Sequence, residues 1–209
     1  MRRSDEYMKV IGITGGVGAG KSEVLAWIAG RPDCRVIMAD QVAHRLEEPG
    51  EACFEPLRAL LGEAALDSEG RIEKRKMAAM IFADETLLKE VNAIVHPAVK
   101  ACLTAQIERE RAAGKLKFLF IEAALLIEEG YAGIVDELWY IHAEEEIRRQ
   151  RLKSSRGYTD EKIDSILKSQ LSEEDFRRHC DVVIENNGTL QGVYTQIEKE
   201  LGEDQWQKQ

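Results

Sequence analysis

Four glycines, a lysine and a serine crowd the eight residues Gly15–Ser22, "GGVGAGKS". The run satisfies G-x-x-x-x-G-K-[ST] at every fixed position, after an apolar stretch and ahead of a helical pattern. Glycines let a loop wrap with its N–H groups turned inward, where side chains would block phosphate oxygens. The N-terminus of the next helix adds unpaired donors and the positive end of its dipole. Gly16, Val17, Gly18, Ala19, Gly20, Lys21, Ser22 and Glu23 form the candidate nucleotide-binding segment. Lys21 would bring charge to the β- and γ-phosphates, and the Ser22 hydroxyl would ligate Mg²⁺. The bland alternative is a glycine turn that only lets strand and helix pack closely; the strand–loop–helix context argues against it.

A phosphate loop alone fits GTPases, ATP-driven machines and small-molecule kinases. No NKxD element is present to read guanine, and "SQLSEED" is not an LSGGQ-like signature. Glu122, after the apolar "FLFI", lacks the adjacent second acid of a mechanical ATPase. A kinase needs a base at the acceptor hydroxyl and cations around the transferring phosphoryl group. Asp40 follows the apolar run "RVIM", where a parallel sheet places its ligand crevice. A carboxylate there can orient or deprotonate a hydroxyl, or hold Mg²⁺ through water; its alternative is the N-cap of a helix starting at Gln41. Arg148, Arg149, Arg151 and Arg156 crowd one helix and the polar break after it. They suit a lid over a phosphoryl group, or a solvated face paired with Glu144 to Glu146.

These residues need a scaffold, and the apolar runs supply one. Lys9–Ile13, Arg35–Met38, Lys117–Ile121, Glu137–Ile141 and Asp181–Glu185 are short and nearly continuous in apolar character, as buried parallel strands require. Helical segments separate them. The predicted fold is α/β, a three-layer fold of the P-loop NTPase type with a five-stranded parallel sheet. From Gln41 to about Gly114 no strand is apparent, and more than 70 residues is too long for a simple crossover. The expectation is one domain over 8–209, with a helical acceptor-binding insertion at about 41–114 and a lid at about 148–160.

Composition narrows the partners. The chain has 209 residues, 44% hydrophobic and 32% charged, with net charge −9. An acidic chain is a poor general binder of nucleic acid. The four cysteines are dispersed and the four histidines lack metal-ligand spacing, so neither a disulfide framework nor a zinc site is expected. No apolar run approaches membrane-spanning length, and "MRRSDEYMKV" has no apolar core of a secretory signal. A cytoplasmic protein, monomeric or weakly self-associating, is the expectation. The face from Leu103 to Ala113 would serve an internal core or a subunit contact equally well.

An ordered set of motifs resembles the dephospho-CoA kinase family. The set runs from Gly12–Ser22 through Ala39-Asp40, Pro49-Gly50, Gly70 with Ile72, Ile81-Phe82 with Asp84, and His96-Pro97 with Val99. It continues with Leu125-Leu126 and Glu128, Arg151-Leu152, Ser169-Gln170, and Asp181 through Asn186 to Gly188. The resemblance implies transfer of the ATP γ-phosphate to the ribose 3′-hydroxyl of dephospho-CoA, with Mg²⁺. It implies Asp40 as base, Arg151 as a lid residue, and Asn186 near the adenine of ATP. Lys74, His96 and Glu128 become acceptor-site residues, with His96 and Glu128 lining the acceptor cleft. Lys74 stands where the family usually has arginine, so a phosphate contact there loses the bidentate fork. His96 before Pro97 equally suits a helix end. A nucleoside or nucleotide kinase of similar fold, or a nucleotide-binding regulator, are the competing readings.

Overall fold

β1 (Lys9–Thr14) is buried at five of its six positions, the pattern of a strand with neighbours on both edges and layers on both faces. β3 (Phe118–Glu122) and β4 (Glu137–His142) flank it in parallel, with Ile13 opposite both Glu122 and Trp139. β5 (Val182–Glu185) pairs parallel with β4, and β2 (Cys34–Met38) completes the order β2-β3-β1-β4-β5. Every predicted strand forms, with ends displaced by no more than one residue. The computed structural model describes residues 7–123, 126–127 and 130–202.

The chain divides into two units, residues 1–36 with 114–209, and residues 37–113. The first holds most of the sheet and the helix that opens after the glycine loop, α1 (Lys21–Ala29). Trp27 of α1 stacks on Tyr194 of the last helix, α9 (Leu190–Glu200), with ring centroids 4.5 Å apart. Arg31 lies over the Trp27 ring at 5.1 Å and reaches Glu198 at 4.0 Å. The C-terminal helix thus braces the element that carries the loop. The same unit holds α6 (Glu145–Arg156), α7 (Asp160–Lys168) and α8 (Glu173–His179).

The second unit is helical: α2 (Ala39–Leu46), α3 (Phe54–Leu61), α4 (Lys74–Ala83) and α5 (Glu85–Ala113). Val91, Val95, Val99, Leu103 and Ile107 recur every fourth residue and are all buried, a stripe that organises the unit's core. Leu103 and Ile107 are therefore core residues within the chain. Pro97 does not end the helix; α5 runs through it. Proline forfeits a backbone bond there, and burial of Val95 and Val99 on either side offsets that loss. All four cysteines are free, and burial pushes the Cys34 and Cys180 thiols up to about 12. No helix among the described residues is long and apolar enough to cross a membrane.

Candidate nucleotide-binding site

The glycine loop leaves the end of the central strand β1. Gly15 has φ 148°, and a Cβ there would lie 2.5 Å from the Ile141 carbonyl oxygen of β4. Gly20, at φ 90°, would meet the Asn186 side chain at 2.3 Å. Any side chain at either position would have to push backbone or a buried amide aside.

The loop's carbonyls are all held by donors. Lys21 Nζ donates to Gly15 O at 2.6 Å, and the Ala19 N–H donates to Gly16 O at 3.1 Å. Arg148 Nε donates to Val17 O at 2.9 Å. Arg151 Nη1 reaches Gly18 O at 3.5 Å and Ala19 O at 3.3 Å, and Asn186 Nδ2 donates to Ala19 O at 2.7 Å. By contrast, the N–H groups of Gly18, Gly20, Ser22 and Glu23 have no protein acceptor among the described residues. Oxygens bound and donors left open is the arrangement that receives an anion at a helix N-terminus.

Several expected residues meet here. Gly16 to Glu23, Arg151 and Asn186 belong to one constellation, but Arg151 and Asn186 face loop carbonyls. Arg151 Nη2 also donates to Asn186 O at 2.9 Å and to Asn186 Oδ1 at 3.3 Å. Asn186 is only 1% exposed. Arg149 instead pairs with Glu145, Asp160 and Asp164, the solvated-face alternative, while Arg156 sits over the Tyr158 ring at 5.9 Å. The polar break after α6 is a short link: Gly157 caps α6 in the left-handed region, and Thr159 caps α7.

In the helical unit, α2 begins at Ala39 with Met38 in the cap position. Asp40 is thus a first-turn residue rather than the cap. Its carboxylate is exposed and has no hydrogen-bond or ion-pair partner among the described residues. Lys74 is the exposed first residue of α4, and His96 is half-buried within α5. Glu128 lies outside the described residues. Glu122, the last residue of β3, is 8% exposed.

Sequence reasoning missed what Arg148 and Gln170 do. Gln170 Oε1 accepts the Val17 N–H at 3.3 Å and Arg148 Nη2 at 2.7 Å. The separations in sequence, 153 and 131 residues from Val17 to Gln170 and Arg148, leave no local signal to find.

Replacing Asn186 with alanine strips the short donor from the buried Ala19 carbonyl. The expected cost is about 1–3 kcal/mol, read as a lower melting temperature, together with a raised KM for ATP. An unchanged KM for ATP in a folded variant would confine Asn186 to bracing.

The Asn186 N–H donates to the His142 carbonyl at 2.7 Å. The His142 ring, 5% exposed, lies 2.5 Å from Glu185 and 3.4 Å from Glu173. Arg177 bonds both carboxylates. Burial alone would raise Glu185, but its bonds to His142 and Arg177 outweigh that and hold it below the usual carboxylate value. The Arg177 bond chiefly holds Glu173 low as well. Depressed folded values stabilise the fold above the ordinary carboxylate pKa of 4.5. That contribution disappears as pH falls through the depressed values. Melting temperature should drop on acidification below about 4.5, and Glu185→Gln should flatten that limb. An acid limb identical in Glu185→Gln and the parent would remove this cluster as its cause.

A five-stranded parallel sheet whose central strand runs into an anion-receiving G-x-x-x-x-G-K-S loop defines a P-loop α/β protein of the kinase type. The dephospho-CoA kinase family matches residues 9–192, and the chain belongs to that family. It is 35% identical to dephospho-CoA kinase of Corynebacterium diphtheriae over 201 residues, 96% of this chain and 97% of the relative. The crystal structure of TT1252 from Thermus thermophilus is similar with TM-score 0.76 and 31% identity, covering 95% of this chain and 98% of that one. Dephospho-CoA kinase from Campylobacter jejuni shares the fold with TM-score 0.68 at 20% identity, over 92% and 97% of the two chains. Family membership makes the chain a kinase of dephospho-CoA, acting in the last step of coenzyme A biosynthesis, and implies ATP as donor.

Proposed function

We propose that the chain moves the ATP γ-phosphate in line onto the ribose 3′-hydroxyl of dephospho-CoA, with Mg²⁺, and that the residues above divide the work. The observation that carries this reading is the loop itself, with its carbonyls from Gly15 to Ala19 tied to donors while the N–H groups of Gly18, Gly20, Ser22 and Glu23 stay open among the described residues. The loop amides and Lys21 hold and neutralise the phosphates, so catalysis is mainly positioning and charge stabilisation. Asp40, an exposed carboxylate without a partner among the described residues, orients the acceptor hydroxyl and takes its proton. Lys74, His96 and Glu128 contact the acceptor, and residues 37–113 serve as the acceptor-binding insertion within a single kinase domain. The α6–α7 segment, residues about 148–160, serves as its lid.

No cluster of three acidic, histidine or cysteine side chains suited to a metal occurs among the described residues. Mg²⁺ that borrows its ligands from substrate phosphates and water does not need one. The Ser22 hydroxyl, exposed and without a protein partner among the described residues, fits as its protein ligand. Bound there, the ion would offset charge on the β- and γ-phosphates. The remaining parts of the proposal are a cytoplasmic location, a monomer or weak homo-oligomer, and no nucleic-acid partner, in keeping with net charge −9.

The test is ADP release from ATP against a panel of acceptors, with and without EDTA. Release with dephospho-CoA that EDTA abolishes and added Mg²⁺ restores is the expected result. Release with adenosine or AMP but none with dephospho-CoA would sink the acceptor assignment. Full activity in EDTA would remove the metal.

A further inference from the structure

Arg148 is half-buried, and burial holds its pKa below the ordinary guanidinium value. Among the described residues no carboxylate lies within ion-pair distance of it, while adjacent Arg149 has three. Partly desolvating a cation without a counter-ion is costly, and only strong polar contacts offset that. Those contacts are all to the phosphate loop or to Gln170. Nε donates to Val17 O at 2.9 Å, Nη2 donates to Gln170 Oε1 at 2.7 Å, and the same oxygen accepts the Val17 N–H at 3.3 Å. The three bonds close a ring around one peptide residue. Both polar backbone groups of Val17 are engaged, and a Cβ on Gly16 would lie 2.3 Å from Arg148 Nη2. Gln170 is itself anchored, its N–H donating to Leu167 O at 3.4 Å at the end of α7.

We propose that Arg148 and Gln170 act as a pair of positioning residues that preset the phosphate loop by clasping Val17. The inference rests on the loop binding a polyphosphate. A glycine-rich loop has many accessible backbone states, and a carbonyl turned toward the ligand would repel phosphate oxygen. The clasp fixes the Val17 carbonyl on Arg148 and leaves the N–H groups of Gly18, Gly20, Ser22 and Glu23 for the ligand. Without it, only a fraction of molecules hold the receptive loop, and apparent affinity falls by that fraction. Neither residue touches the nucleotide in this role.

The experiment compares Arg148→Ala, Gln170→Ala, the double variant and Gln170→Glu in steady-state kinetics, with melting temperature as the fold control. Each single alanine variant should raise KM for ATP about tenfold and leave KM for dephospho-CoA unchanged. The double variant should be no worse than the poorer single, because either loss opens the same ring. Gln170→Glu, whose carboxylate oxygen can accept both bonds, should keep KM for ATP near the parent value. An effect of Arg148→Ala unmatched by Gln170→Ala would overturn the pair and make Arg148 a direct phosphate contact. Strictly additive effects, or an equal rise in both KM values, would also overturn it. Binding of inorganic tripolyphosphate by titration reads the clasp independently of the acceptor. Should Arg148→Ala fail to fold, weakened tripolyphosphate binding by Gln170→Ala supports the clasp and unchanged binding ends it.

Discussion

Replacing Lys21 by alanine is expected to lower turnover by about 10²–10³-fold, the usual loss for one preorganised charge-stabilising donor. Lys21 is half-buried at the first position of α1, and its ammonium rests 2.6 Å from the Gly15 carbonyl. That contact parks the charge at the mouth of the loop. In a loose transition state charge develops on the departing β-phosphate side, so loss of the ammonium should fall on kcat as well as on kcat/KM. The fold should persist, because the buried residues of α1 are Val24, Leu25 and Ile28. Lys21→Arg retains charge but brings a larger planar group into a loop built for close approach, so it should rescue poorly. The measurement is coupled ADP release, with circular dichroism as the control. Turnover within about tenfold of the parent would take Lys21 out of the phosphate chemistry.

Asp40→Asn is expected to cut turnover by about 10²–10⁴-fold, the range for removal of a general base. Asparagine keeps the size and an acceptor oxygen but cannot take the proton. Asp40 is exposed and makes no side-chain bond among the described residues, so nothing in the fold depends on its carboxylate beyond its place at the start of α2. Loss of that first-turn charge costs at most about 1 kcal/mol. A large kinetic effect with a small shift in melting temperature is therefore the signature of chemistry rather than stability. Near-parent turnover in Asp40→Asn would leave the hydroxyl without this base.

Much of the scaffold was legible because its determinants are local. The five strands announce themselves by short apolar runs such as "KVIGI" and "ELWYI", and burial on both faces is what makes such runs continuous. The loop was equally legible as a motif, since the glycine spacing and the Lys-Ser pair of G-x-x-x-x-G-K-S lie in eight consecutive residues. Two local alternatives that the sequence offered are not realised. Pro97 carries the signal of a helix end, yet α5 continues because the buried stripe Val91 to Ile107 holds both halves in one core. Asp40 carries the signal of a cap, yet the helix starts at Ala39, one residue ahead of it.

By itself the sequence determined the class of the fold, the phosphate loop and, through its ordered motifs, the family. Only the tertiary structure decided what holds that loop open. Asn186 has its side chain on Ala19, 167 residues away, and Arg151 spans both. Arg148 of α6 and Gln170, just past the end of α7, close on Val17. The reason is physical: a phosphate cradle needs its carbonyls tied back, and the donors that tie them come from α6 and from the residue after β5, far along the chain. Their spacing along the chain carries no trace of that meeting.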